Sequence, residues 1–161
     1  TSITTGTTYA WTRDNAATVT GITASGTGNI SGTLTNTTFA PVTVTFTITP
    51  SANGCAGPTT TATVLVNPTP NAVATPLSQM ICSGATITTI ALTSNTTGTT
   101  YAWTRDNAAS VTGINANGTG NISGSLTNTT FAPITVTFTI TPTANGCAGP
   151  TTTATVLVNP T

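Results

Sequence analysis

The sequence predicts an all-β chain of tandem β-sandwich domains, and three observations lead there: 48 threonines in 161 residues, runs in which apolar residues and threonines alternate, and an internal repeat of 92 residues. Threonine is β-branched and stiff at χ1, which favours strands over helices. In Val42-Thr43-Val44-Thr45-Phe46-Thr47-Ile48-Thr49 the alternation is unbroken, and 134–141 copies it. That is the period of a strand with one face in a core. Tyr9, Trp11 and Arg13 share a strand face, where an aromatic pair serves as central filler. Segments 28–36, 60–66 and 86–93 supply further short strands. Pro50-Ser51-Ala52-Asn53-Gly54 and Gly57-Pro58 act as breakers, which makes the stretch between the last two strands a hairpin loop carrying Cys55. No helical period occurs, and six or seven strands per repeat make a sandwich.

The repeat is nearly perfect. Tyr9-Ala10-Trp11-Thr12-Arg13-Asp14-Asn15 recurs at 101–107, and residues 1–69 match 93–161 at 62 of 69 positions, differing only at 3, 18, 23, 25, 33, 42 and 51. Such a unit is far longer than the turn of a solenoid and suits a whole sandwich domain. Two complete units need 184 residues, 23 more than are present. The linker is placed at Val66-Asn67-Pro68-Thr69-Pro70-Asn71, because two prolines stiffen the backbone and remove ladder donors. On this boundary 70–161 is a complete domain, and 1–69 is a domain lacking its N-terminal strands, the counterpart of 70–92. The chain is then expected to be a window on a longer polypeptide.

The three cysteines follow the repeat. Cys55 and Cys147 are equivalent, whereas Cys82 has its equivalent upstream of Thr1. The expected disulfide joins Cys82 to Cys147, leaving Cys55 with a partner outside the chain, and implies an oxidising, extracytoplasmic compartment. Two alternatives stay open: three buried free thiols, or a permuted boundary in which Cys55 pairs with Cys82.

Composition excludes much. Charged residues make up 2% of the chain, with two Lys+Arg, two Asp+Glu and no His. General acid–base chemistry needs titratable groups close together, so an enzyme is not expected, and no cofactor or metal set is legible. A net charge of zero leaves no footprint for nucleic acid or anionic lipid. The 37% hydrophobic content and mean hydropathy of +0.21 fit a folded chain, and no stretch approaches the roughly 20 apolar residues of a membrane span.

Ile81-Cys82-Ser83-Gly84, Tyr101-Ala102-Trp103-Thr104, Leu126-Thr127-Asn128, Thr139-Ile140-Thr141-Pro142, Ala144-Asn145-Gly146-Cys147 and Val156-Leu157-Val158-Asn159-Pro160, in this order, resemble the PKD-like domains of large secreted surface proteins. Those occur in tandem in bacteria of the Bacteroidetes type. The resemblance covers the second repeat and what is present of the first. It implies an immunoglobulin-like sandwich, a secreted, cell-surface or filament location, and a structural or adhesive role. It carries over no catalytic residue. The calcium site of some such domains does not transfer, because each repeat has a single Asp where several oxygen ligands are needed.

The remaining candidates concern the surface. Arg13-Asp14 and Arg105-Asp106 are the only charges; neighbours on a strand point to opposite faces, so the pair sits either at a domain junction or in a solvated loop. Glycosylation sequons stand at Asn29, Asn36, Asn95, Asn117, Asn121 and Asn128, although chance alone gives about five with this much Asn, Ser and Thr. A surface almost without charge favours self-association, so outward Thr43, Thr45, Thr47, Thr135, Thr137 and Thr139 join the sequons as candidate glycan carriers, or else the domains assemble laterally. The same ladder with Thr49 raises ice binding as a lesser alternative. The aromatics of each repeat are all assigned to the core, which argues against a carbohydrate-binding module, the main alternative. Near-identical domains on stiff linkers predict a stalk advancing roughly 30–40 Å per unit, whose partners are neighbouring repeats or copies of itself in a fibre.

Overall fold

The structure, a computed structural model, describes residues 4–161, and every regular element among them is a strand. Two compact units result, Thr1–Pro68 and Thr69–Thr161. In the first, β1 (Thr8–Arg13), β3 (Ser25–Thr27), β5 (Val42–Ala52), β6 (Cys55–Ala56) and β7 (Thr60–Val66) form one sheet, and β2 (Val19–Gly21) pairs with β4 (Leu34–Asn36) opposite it. In the second unit β8 (Val73–Thr75), β9 (Ser78–Cys82) and β10 (Ala91–Thr93) precede the equivalents of those seven: β11 (Thr100–Arg105), β12 (Val111–Gly113), β13 (Asn117–Thr119), β14 (Leu126–Asn128), β15 (Ile134–Ala144), β16 (Cys147–Ala148) and β17 (Thr152–Asn159). The order β13-β11-β15-β17-β9 makes its main sheet, with β9 parallel to β17 and the rest antiparallel.

Alternation decides which face is dry. Val136, Phe138 and Ile140 of β15 and Ala154, Val156 and Val158 of β17 point inward and are buried, while the threonines between them face out. Against this face lies a second layer in which β12 pairs with β14 and β8 with β10, tied together by isolated bridges Thr86–Ser125 and Ile90–Ile122. Ile87, Ile90, Leu92, Ile122 and Leu126 close the core from that side. At its centre Trp103 meets Phe138 edge-on at 5.7 Å between centroids and 77° between planes, a favoured aromatic geometry. Trp11 and Phe46 repeat it in the first unit.

Three strand expectations need correction. The strand over 28–36 shrinks to β4, because Gly28 and Gly32 take φ of +74° and +135°, left-handed conformations that a ladder does not accommodate. The strand over 86–93 is regular only at β10 and otherwise touches its neighbour through the two bridges. Conversely, β5 runs through Pro50, which pairs with Tyr9. The turn is confined to Asn53-Gly54, both with positive φ (52° and 80°), the signature of a two-residue hairpin.

The Cys82–Cys147 disulfide is overturned by register. Cys82 lies opposite Asn159, beyond the Val158–Ile134 pair, whereas Cys147 lies opposite Ala144 at the far end of β15. Eleven residues of strand separate the two positions, about 36 Å at the rise of a β-strand, and a disulfide needs Cα atoms within about 7 Å. All three thiols are free, with Cys55 and Cys82 exposed and Cys147 half-buried, so they are not the buried thiols of the alternative either. Non-reducing peptide mapping of air-oxidised protein is expected to find no Cys82–Cys147 loop within a chain; recovery of that loop would refute the register.

Candidate interaction surface

The four charged side chains are all engaged in holding loops. At the end of β11, Arg105 turns inward and is 9% exposed. Its Nε donates to the carbonyls of Ile114 (2.8 Å) and Asn115 (3.2 Å), and its terminal nitrogens donate to those of Val111 (2.9 Å), Ile114 (2.6 Å) and Asp106 (3.3 Å). Burial lowers the Arg105 pKa from its ordinary value, and Asp106 works in the opposite direction. The Asp106 carboxylate accepts the amide of Thr137 at 2.7 Å, and Asn107 Nδ2 donates to the carbonyl of Thr135 at 2.8 Å. Arg-Asp-Asn is thus a clamp: Arg gathers the carbonyls of the turn that follows, and Asp and Asn stitch the departing chain to β15. Arg13, Asp14 and Asn15 do the same in the first unit. The arginines are therefore not freely solvated, although the Asp and Asn beside them are exposed.

Two of the six sequons are structural instead of being free acceptors. Asn128 is 7% exposed; its Nδ2, the atom a glycan would occupy, donates to the carbonyls of Ala132 (2.8 Å) and Val158 (3.0 Å), while Oδ1 accepts from the amide and hydroxyl of Thr130. Asn36 repeats this with Ala40, Val66 and Thr38. Asn29, Asn95, Asn117 and Asn121 are exposed, although Asn121 Oδ1 also receives the amide of Leu92. Glycopeptide mapping of natively sourced protein is expected to leave Asn36 and Asn128 bare even where other sequons are occupied. A glycan on either would show that this side chain is not locked as described.

Among the described residues no group of three His, Cys, Asp or Glu could hold a metal ion, and no helix is long and apolar enough to cross a membrane. The Tyr101 phenol is pushed up from its usual pKa by burial, partly offset by Ser94. The first unit holds an open cleft of about 600 Å³ lined by Tyr9, Gly28, Asn29, Ile30, Ile48 and Thr60 among others, and no titratable pair stands among its described lining residues.

The family profile described as PKD-like domain matches residues 1–70 and 79–161. The chain belongs to the PKD-like domain family. No curated protein sequence matches it. Among solved structures it is similar to domains 4 and 5 of the S-layer protein SbsC, with 16% identity over 94% of this chain and 70% of that one and a TM-score of 0.38. It is also similar to the FN1–FN3 domains of chicken CNTN1, at 10% identity over 95% of this chain and 56% of that one with a TM-score of 0.34. For the longer SbsC fragment of domains 4–9 the figures are 16%, 95%, 22% and 0.35.

Each PKD-like domain turns a threonine-rich sheet face outward. In the second, register sets Thr137, Thr155 and Ser78 in one row across three strands, and Thr104, Thr139 and Thr153 in another. Thr43 and Thr135 are exposed, Thr45, Thr47 and Thr137 half-buried, and Thr139 exposed. One assignment made from sequence fails here: Phe39 and Phe131 are not core residues. They are 58% and 101% exposed, on the loops that Asn36 and Asn128 hold. Hydrophobicity alone could not reveal this. The only signal is the Asn-Thr-Thr-Phe-Ala-Pro string, in which an Asx turn precedes the aromatic.

Proposed function

We propose that these PKD-like domains are a structural repeat segment of an extracellular filament, stalk or giant surface adhesin, glycosylated at exposed Asn and Thr, with binding specificity carried elsewhere. One observation supports this most: all four charged side chains are engaged in internal hydrogen bonds, so the chemistry-bearing residues hold the fold. Repetition of the same clamp in two near-identical units suits a part whose number can grow without altering any site. The partners are then further repeats of the same kind. Antibodies against the chain, applied to intact cells of the native source, should decorate surface fibres, and the intact mass should exceed that of the polypeptide. Labelling only after lysis would count against the location, and a mass equal to the polypeptide against the glycans.

A carbohydrate-binding adhesion module is the second reading, favoured by the exposed Phe39 and Phe131, since sugars stack on aromatic rings. Glycan-array binding that disappears in Phe131→Ala would support it; an array without signal would leave the structural role.

A further inference from the structure

Strand β9 is the edge of the main sheet in the second unit, and its chemistry leaves that edge unguarded. Among the described residues it pairs only with β17. The two ends of this ladder fix where its main-chain groups point. The carbonyl of Leu77 accepts the amide of Thr155 at 3.0 Å, and the amide of Ser83 donates to the carbonyl of Asn159 at 2.8 Å, so the odd-numbered residues turn toward β17. By the alternation of a strand, the amides and carbonyls of Ser78, Met80 and Cys82 face away from it. The side chains of these three residues are exposed as well.

Edge strands are ordinarily blunted by a charge, a proline or a bulge. Ser78-Gln79-Met80-Ile81-Cys82 contains neither charge nor proline, and its pairing with β17 runs without a bulge from Thr155–Ser78 to Asn159–Cys82. Large apolar side chains stand open along it: Leu77 is 61% exposed and Met80 68%. On the outer face of the sheet Met80 lies beside Leu157, which is half-buried.

We propose that β9 is a self-association edge, to which a second copy of this chain adds its own β9, antiparallel about a two-fold axis at Met80. The strand is its own complement in that register. Met80 exchanges amide and carbonyl with Met80 of the second copy, and Cys82 donates its amide to the carbonyl of Ser78 across the axis, the alternation of an antiparallel ladder. The Leu157–Met80 row of each copy then continues into that of the other, giving an apolar stripe that neither has alone. Neither β9 nor β17 carries a charge, so two identical edges meet without like charges opposed. Main-chain hydrogen bonds supply affinity, as in other strand additions, and the isologous register supplies closure at two copies. This lateral contact goes beyond the structural role proposed above without resting on it, since a chain that stays monomeric can still serve as a stalk.

The test begins with sedimentation of the full 161-residue chain in reductant. A reversible monomer–dimer equilibrium in the micromolar to millimolar range is expected, insensitive to salt, with hydrogen exchange at the Met80 amide slowed about tenfold where dimer predominates. Met80→Lys and Met80→Glu each set like charges opposite one another and should weaken dimerisation by about tenfold, whereas an equimolar mixture of the two should recover it. Both should keep the circular dichroism spectrum of the parent; if either misfolds, exchange in the unaltered chain decides. In a chain carrying Cys55→Ser, Cys82→Ser and Cys147→Ser, Met80→Cys should cross-link two copies under glutathione disulfide, because Cα atoms of such a pair lie about 5.5 Å apart. Thr127→Cys, exposed on β14, should cross-link far more slowly in the same background. A chain monomeric throughout that range would overturn the proposal, as would dimerisation unchanged by Met80→Lys or equal cross-linking at positions 80 and 127. So would a dimer whose Met80 amide is unprotected, since another surface would then hold the copies together.

Discussion

Replacing Arg105 by methionine should destabilise the second unit by about 2–6 kcal/mol, because two buried carbonyls lose the donor that satisfied them. Five hydrogen bonds to four carbonyls disappear together, and methionine fills the space without donating. The carbonyls of Val111 and Ile114 are then left without their donor, at about 1–3 kcal/mol for each buried acceptor. Arg13→Met offers the internal comparison. It breaks the equivalent bonds, but Arg13 is only half-buried, so water can reach its carbonyls and the loss should be smaller. Urea unfolding followed by hydrogen exchange, resolved by unit, measures both. Equal losses at the two arginines would show that burial is not what makes Arg105 matter.

Gly118→Val should be nearly as damaging, about 3 kcal/mol, by overpacking. Gly118 lies opposite Trp103 across β11 and β13; a Cβ there would stand 2.8 Å from Cε2 of the indole and closer still to Cζ2. The ring is 8% exposed and held edge-on to Phe138, so it cannot retreat without opening the core. Its emission should shift to the red as the melting temperature falls. Asn117→Val, one residue earlier and on the outer face, should change neither by much. If the two substitutions behave alike, the close approach of glycine to tryptophan is not a constraint.

The sequence revealed whatever depends on alternation. Val44 and Phe46 go inward, and the threonines between them outward, because one face meets a core and the other meets water. The shared face of Tyr9, Trp11 and Arg13 followed from the same two-residue period. What stayed hidden depends on register between strands distant in the chain. The separation of Cys82 from Cys147 is decided by the parallel pairing of β9 with β17, which no local pattern encodes. The role of Asn128 was masked for another reason: Asn-Thr-Thr is both a sequon and an Asx turn, and only the carbonyl of Val158, thirty residues away, discriminates between them. The same turn sets Phe131 on the outside. In 28–36 the glycines weighed more than the apolar residues beside them.

The placement of the thiols has a consequence in polymer terms. With one sulfhydryl at each end of its main sheet, the second unit is a difunctional monomer whose reactive groups are too far apart to cyclise. Oxidation of such a body cannot tie it to itself. Every bond its sulfurs make must be with another body, so oxidant would drive step growth, and reductant would sever links between modules while leaving each one intact.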